Sequence, residues 1–194
     1  MLPLVCMVAT ALAFPGCRSA QEVDPNSLRR GETFEVSVVG VHDGDSLTGL
    51  TGEKRQVKIR LDSVDAPELG QPFGKAAKRA LSEKVFGKPA DIVVVSHDPY
   101  GRIVARVRVA GRDVAADLVR EGFAWCDPRF NHDASLAALD QAARRSKKGL
   151  WADTAPTAPW DYRKHRERKS EPPAASAPAS GSSWFRWWGG AGEK

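Results

Sequence analysis

From Phe34 onward the chain falls into an alternating rhythm. Phe34, Val36 and Val38 are separated by polar residues, which in an extended backbone sends the apolar side chains to one face. At Val39-Gly40-Val41 the alternation breaks, as a β-bulge would break it. Leu47 to Leu50 predicts a short partner strand. Val57, Ile59 and Leu61, interleaved with Lys58, Arg60 and Asp62, predict a third strand with one apolar face. Three short strands joined by glycine turns read as a meander. The period then changes to that of a helix: Phe73, Ala76, Ala77, Ala80 and Leu81 predict one over 72–86, opened by Pro72 and stopped by Gly87. Ile92 to Val95 reads as a buried strand, and Ile103, Ala105, Val107 and Val109 as an alternating one. Asp113 can cap a short helix ending at Gly122. Asp133 or Ser135 can start another through Leu136, Leu139 and Ala143, closed by Gly149, after which Trp151 is expected to pack back on the core.

The two ends of the chain lack this patterning. Residues 1–17 read as a secretory signal: Met1 to Gly16 holds no charged side chain and is too short and proline-interrupted for a membrane span, although a basic n-region is missing. Phe14-Pro15-Gly16-Cys17 resembles a bacterial lipobox, with Phe14 and Pro15 as poor matches. Lipidation at Cys17, with a membrane tether in the cell envelope, and ordinary cleavage with secretion therefore both stay open; export is the expectation in either case. Residues 18–32, polar and containing Pro25 and Arg29-Arg30, read as a linker. The folded domain is expected over 33–153. Residues 154–194 are expected to lack order, as a basic run from Asp161 to Ser170, a Pro/Ala/Ser-rich stretch, and a terminal Trp184-Phe185-Arg186-Trp187-Trp188 suited to a membrane interface or a partner.

Composition adds bounds. At 194 residues there is room for one ordinary domain with appendages. Lys and Arg exceed Asp and Glu by 29 to 24, a formal +5, too small an excess to establish a polyanion partner. With three cysteines, of which Cys6 would leave with the expected signal, and no Cys/His spacing, neither a disulfide scaffold nor a zinc site is indicated.

The chemistry is concentrated in His42-Asp43-Gly44-Asp45-Ser46 and in Ile59 to Glu68, with a second arginine in Tyr100-Gly101-Arg102. Asp-Gly alone is a common hairpin signal. Asp45, just past one turn, and Asp65, at the end of a neighbouring strand, can however share one cation, which offsets their mutual repulsion. Hard oxygen ligands beside guanidinium forks suit metal-assisted attack on a phosphodiester. Arg60 lies on the strand face opposite Ile59 and Leu61. Arg102, Arg106 and Arg108 share one face of their strand, a basic stripe that fits a nucleic-acid track or, for Arg106 and Arg108, a merely solvated face. His97-Asp98 has the look of a catalytic pair but sits at a strand end, where a structural role is expected. Arg144, Arg145, Lys147 and Lys148 complement the negative end of a helix.

The motifs also occur in a recognisable order: Val41 to Ser46 (Val-x-Asp-Gly-Asp-Ser), Ile59 to Glu68 (Ile-Arg-Leu-x-x-Val-Asp-Ala-Pro-Glu), Gln71 to Gly74, Asp98-x-Tyr100-Gly101-Arg102, Leu118-Val119-x-Glu121-Gly122 and Gly149-Leu150-Trp151. From about Phe34 to Trp151 the chain resembles the staphylococcal nuclease (thermonuclease) family. The resemblance implies an α+β, mainly β fold: a five-stranded OB-fold barrel with three packed helices. It implies a Ca²⁺-dependent endonuclease acting on DNA and RNA, breaking the bond to the 5′ oxygen and leaving 3′-phosphate ends, monomeric and without a protein partner. By motif position Asp45 and Asp65 correspond to the calcium carboxylates, the Ala66 carbonyl to a further ligand, and Asp43 to the acid that orders the metal's water. Glu68 corresponds to the glutamate that positions or deprotonates the attacking water, Arg60 and Arg102 to the pair on the scissile phosphate, and Tyr100 to a neighbour of the bound nucleotide. Ser46 and Ala66 stand where threonine is common, Pro99 where a basic residue is found, and the connection from Glu68 to Gln71 is short. Two other readings remain: a non-catalytic nucleic-acid-binding barrel, disfavoured because all these positions are retained, and an envelope interaction protein working through its tail.

Overall fold

The computed structural model describes Asp24, residues 27–131 and residues 133–170. The expected signal and lipobox, the Trp184–Trp188 cluster and His132 lie outside the described residues. The alternating stretch becomes β1 (Thr33–Val41), β2 (Ser46–Leu50) and β3 (Gln56–Leu61), paired antiparallel in sequence order as a meander. The register of β1 on β2 shifts between Val38 and Gly40, the bulge expected from the broken rhythm. After a turn with Ser63 in the left-handed region (φ 64°), β4 (Val64–Asp65) leads towards α1 (Gly74–Val85). β5 (Pro89–His97) then pairs antiparallel with β1, and β6 (Ile103–Val109) with β5. A parallel pairing of β3 with β6, Ile59 opposite Ile103 and Leu61 opposite Ala105, closes five strands into a barrel.

β7 (Arg112–Asp113) folds back on β6 and runs into α2 (Val114–Glu121), whose N-terminus Asp113 caps by accepting from Ala116 N–H. β8 (Trp125–Cys126) pairs with β4, setting Asp65 opposite Trp125. α3 (Ala134–Arg145), capped by Asp133, a 3₁₀ turn at Gly149–Ala152 and α4 (Pro159–Ser170) follow among the described residues.

The core follows from the strand faces. Val36, Val38, Leu47, Ile59, Leu61, Ile92, Val94, Ile103, Ala105 and Val107 fill the barrel, and Ala77, Leu81 and Val85 of α1 with Leu118 and Val119 of α2 seal it. Each large side chain buried there contributes about 1.5–3 kcal/mol relative to exposure. A second cluster gathers Trp125, Ala143, Leu150, Trp151 and Ala158, against which Phe73 and Trp160 pack. Trp151 does return to the core region, as expected. Arg144 is more than a helix-end charge: it binds Asp140 Oδ2 at 2.6 Å and lies over the Trp151 ring at 4.0 Å.

Three expectations need correction. β5 is longer than Ile92–Val95, because Val93 and Val95 face outward and the run of valines hides an alternation that begins at Ala90. α3 ends at Arg145 with Ser146 as its cap, before Gly149, which instead opens the 3₁₀ turn. Among the described residues there are four α-helices rather than three, since residues expected to lack order from 154 include α4. That helix carries no apolar stripe for periodicity to reveal; individual contacts hold it. Trp160 meets Trp125 edge-on with centroids 5.6 Å apart, and the Tyr162 hydroxyl donates to the Gly70 carbonyl at 3.0 Å.

Candidate active site

Two close approaches shape the cleft at one side of the barrel. Gly44 lies so near the next layer that a Cβ there would sit 2.6 Å from Ala66 Cβ and 2.7 Å from Ala77 Cβ. The Asp43–Asp45 turn is thereby pressed against the strand end that carries Asp65, and Asp43 Oδ1 accepts Asp45 N–H at 3.0 Å to hold it. At the start of α1, a Cβ on Gly74 would overlap the Glu68 carbonyl, so only glycine lets the short Glu68–Gln71 connection fold down onto the helix.

These constraints bring the charged side chains together. Asp45 and Asp65 are buried, 3 % and 0 % exposed. Arg60, reaching in from β3, bridges them with Nη1 2.7 Å from Asp45 Oδ1 and Nη2 3.1 Å from Asp65 Oδ1. Asp45 Oδ2 accepts the Ala66 N–H at 2.8 Å, and Ser46 Oγ donates to Asp45 Oδ1 at 3.0 Å. Burial pushes the Asp45 carboxyl up to about 7. Arg60 and the Ala66 N–H pull it down, and the neighbouring Asp43 and Asp65 add to the rise. Burial also disfavours the Arg60 charge, but Asp45 and Asp65 together outweigh it and hold the guanidinium more firmly protonated than usual.

Arg102 enters the same region from just ahead of β6, the strand paired with β3. The turn at Tyr100-Gly101, with Gly101 at φ 75°, returns the chain so that Asp98 accepts from Tyr100 N–H, Arg102 N–H and Arg102 Nε, the last at 2.6 Å. Partial burial would raise the Asp98 carboxyl; these hydrogen bonds override it and hold it below its ordinary value. Asp98 thus fixes the arginine, the structural role expected for the His97-Asp98 pair. Arg102 Nη1 lies 3.4 Å from Ser46 Oγ, next to Asp45.

Asp43, Asp45, Arg60, Ala66, Glu68, Tyr100 and Arg102 line one open cleft of about 420 Å³, with the buried Asp65 beneath it, joined to its wall through Arg60. Tyr100, 81 % exposed, stands at the rim. Arg106 and Arg108 do not line it; both are exposed on the outer face of β6, where Arg106 Nε is 3.9 Å from Asp62 Oδ2. Residues that the sequence reading did not single out complete the wall. Asp127, 1 % exposed, binds Arg129 through Nη2 at 2.6 Å, and Arg129 lies 5.1 Å from the Trp160 ring centroid and 5.4 Å from that of Phe130. Asp-Pro at 127–128 is a turn signal that pointed to this corner, but nothing local ties it to the cleft.

Arg163 of α4 is the largest addition. Its Nη2 is 2.6 Å from Asp65 Oδ2, and its Nη1 is 2.7 Å from Glu68 Oε1 and 3.2 Å from Asp65 Oδ1. Those hydrogen bonds, first the one to Asp65, hold its charge more firmly than in an ordinary arginine despite partial burial. The basic run expected to be a solvated tail thus delivers one arginine into the cleft.

Among the described residues no three of His, Cys, Asp and Glu gather closely enough to hold a metal ion by side chains alone. The donors that Asp45, Asp65 and the Ala66 carbonyl would offer are all oxygen, the kind a hard dication takes, and in this structure the two carboxylates pair with Arg60 and Arg163.

Similarity to other proteins agrees with this arrangement. Residues 58–153 match the family described as staphylococcal nuclease homologue. An uncharacterized endonuclease of Haemophilus influenzae is 34 % identical over 130 residues, covering 67 % of this chain and 73 % of its own. One of Escherichia coli is 38 % identical over 131 residues, covering 67 % and 84 %. A micrococcal nuclease of Shigella flexneri is 31 % identical over 142 residues, covering 68 % and 81 %. Likeness of this extent means that the chain belongs to the staphylococcal nuclease family of hydrolytic nucleases.

Proposed function

We propose that this protein is an exported, Ca²⁺-dependent endonuclease that hydrolyses phosphodiester bonds of DNA and RNA at the 5′-oxygen side, leaving 3′-phosphate ends. The observation that carries the reading is the meeting of Arg60, Arg102 and Glu68 around one open cleft above the buried pair Asp45 and Asp65. Two guanidiniums lining one cleft suit a phosphate bound there: each offers planar paired donors to its non-bridging oxygens and neutralises charge that grows there as the fifth bond forms. Glu68, lining the cleft, would orient a water and accept its proton as that water attacks phosphorus, while the bond from phosphorus to the 5′ oxygen breaks on the far side and that oxygen takes a proton from solvent. Bound Ca²⁺, held by Asp45, Asp65 and the Ala66 carbonyl, would add Lewis-acid charge on the phosphate, and Asp43 would order its water. Tyr100 flanks the nucleotide, and Arg106 and Arg108 extend a sequence-independent phosphate track beyond the cleft. The chain acts as a monomer, secreted or tethered to the envelope through a lipidated Cys17.

The test is the full chain incubated with single-stranded DNA and with RNA, in Ca²⁺ and then in excess chelator, with the product ends identified. Cleavage of both polymers that stops on chelation and leaves 3′-phosphates is the expected result. Salt-sensitive binding without cleavage would replace it with a non-catalytic barrel.

A further inference from the structure

α4 and the segment just ahead of it hold the Glu68 connection, one through the side chain and the other through Gln71. The side chain is held by Arg163, whose guanidinium forks between Glu68 Oε1 and both oxygens of Asp65. The backbone is held by Gln71, itself 7 % exposed: its Oε1 accepts Glu68 N–H at 3.2 Å while its Nε2 donates to the Thr157 carbonyl at 2.5 Å, just ahead of α4. Tyr162 pins the same short connection at Gly70. No other side chain among the described residues pairs with the Glu68 carboxylate. Without Arg163 that carboxylate would face Asp65 with nothing to set its direction. Hydrogen bonds to charged groups are strong and geometrically demanding, and an arginine fork fixes two acceptors at once in a way that a point charge does not.

We propose that Arg163 is a positioning residue for the hydrolytic reaction, setting the Glu68 carboxylate against Asp65, so that the catalytic unit extends through α4. The proposal rests on the nuclease reading of the cleft. Groups that orient catalytic or metal-binding carboxylates typically change activity by about 10–100-fold when removed. A positioning role places the loss in turnover; a phosphate-binding role places it in affinity for the polymer.

The experiment uses the full chain with Arg163→Ala and Arg163→Lys. It reads kcat and KM on a single-stranded DNA oligonucleotide in Ca²⁺, the affinity for the same oligonucleotide in excess chelator by fluorescence anisotropy, and thermal unfolding. Arg163→Ala is expected to lower kcat by about 10–100-fold, with KM and metal-free affinity changed by less than about threefold. Arg163→Lys, which keeps the charge but cannot fork, is expected to fall between Arg163→Ala and wild type, and it decides the question should the alanine variant not fold. A kcat at or above wild type in either variant overturns the proposal, the increase indicating an inhibitory contact. A KM or metal-free affinity loss as large as the loss in kcat also overturns it, in favour of a phosphate contact. Failure of the wild-type chain to hydrolyse the oligonucleotide removes the nuclease reading instead.

Discussion

Arg60 joins Asp45 to Asp65: one guanidinium reaches both buried carboxylates, at 2.7 and 3.1 Å. Removing it leaves buried Asp45 without its ion-pair partner, Asp65 keeping Arg163, and takes away one of the groups that would meet the phosphate. Arg60→Ala is therefore expected to reduce turnover on single-stranded DNA by about 10²–10³-fold, the scale for losing one transition-state charge stabiliser. It should also destabilise the metal-free protein by about 3–5 kcal/mol, the usual consequence of breaking a buried pair. Arg102→Ala should match the first loss but not the second, since its partner Asp98 keeps its hydrogen bonds from the backbone N–H groups of residues 100 and 102. Turnover and thermal unfolding in chelator check both, and equal midpoints for the two variants would contradict the distinction.

The raised Asp45 carboxyl makes a prediction about pH. Its value shifts from 3.8 to about 7, so between those limits the folded chain binds a proton more tightly than the unfolded chain does. The resulting stabilisation is fully present below about 3.8 and is lost as pH rises through about 7. Asp45→Asn has no such proton to lose. In excess chelator its unfolding midpoint should gain on wild type as pH is raised from about 5 to about 8. A difference between the two that does not change with pH would mean that Asp45 keeps an ordinary carboxyl.

What could be read from the sequence was what one strand or one turn encodes locally. Ile59 and Leu61 alternate with Arg60 because one face of β3 fills the barrel, so the outward arginine was visible in the pattern. Arg102 was legible for a related reason: Asp98, Tyr100 and Gly101 form a turn whose hydrogen bonds are local. The parallel closure of β3 on β6 left no local trace, and only the family resemblance supplied the barrel. Arg163 was hidden most completely. Its helix carries no apolar stripe, and its partners Asp65 and Glu68 lie more than ninety residues earlier in the chain.

Gly74 tests whether the Glu68–Gln71 connection is held as tightly as it looks. A Cβ there meets the Glu68 carbonyl and the Leu69 backbone, neither of which can swing aside as a flexible side chain would. Gly74→Ala should displace Glu68 and lower turnover by about tenfold or more, since misplacement on the order of 1 Å at a reacting group is costly. Gly52→Ala, where a Cβ meets nothing within 4 Å, should leave activity and unfolding unchanged. Equal activity in the two variants would show that the loop tolerates the shift.

Two stop positions separate a domain that ends at the 3₁₀ turn from one that needs α4. A chain ending at Asp153 loses Trp160 from against Trp125, the Thr157 carbonyl that Gln71 uses, the Tyr162 bond to Gly70, and Arg163. A chain ending at Ser170 keeps them all. The longer chain should therefore unfold at the same temperature as the full protein and match its turnover. The shorter one should unfold several degrees lower, because stripping an aromatic contact and a few hydrogen bonds removes about 2–4 kcal/mol. Its kcat should also fall about 10–100-fold, as for loss of Arg163 alone. If the shorter chain instead cleaved DNA at the full rate, the helix would be an appendage resting on a site that is complete without it, and the arginine in the cleft would have to be explained as a contact the reaction can do without.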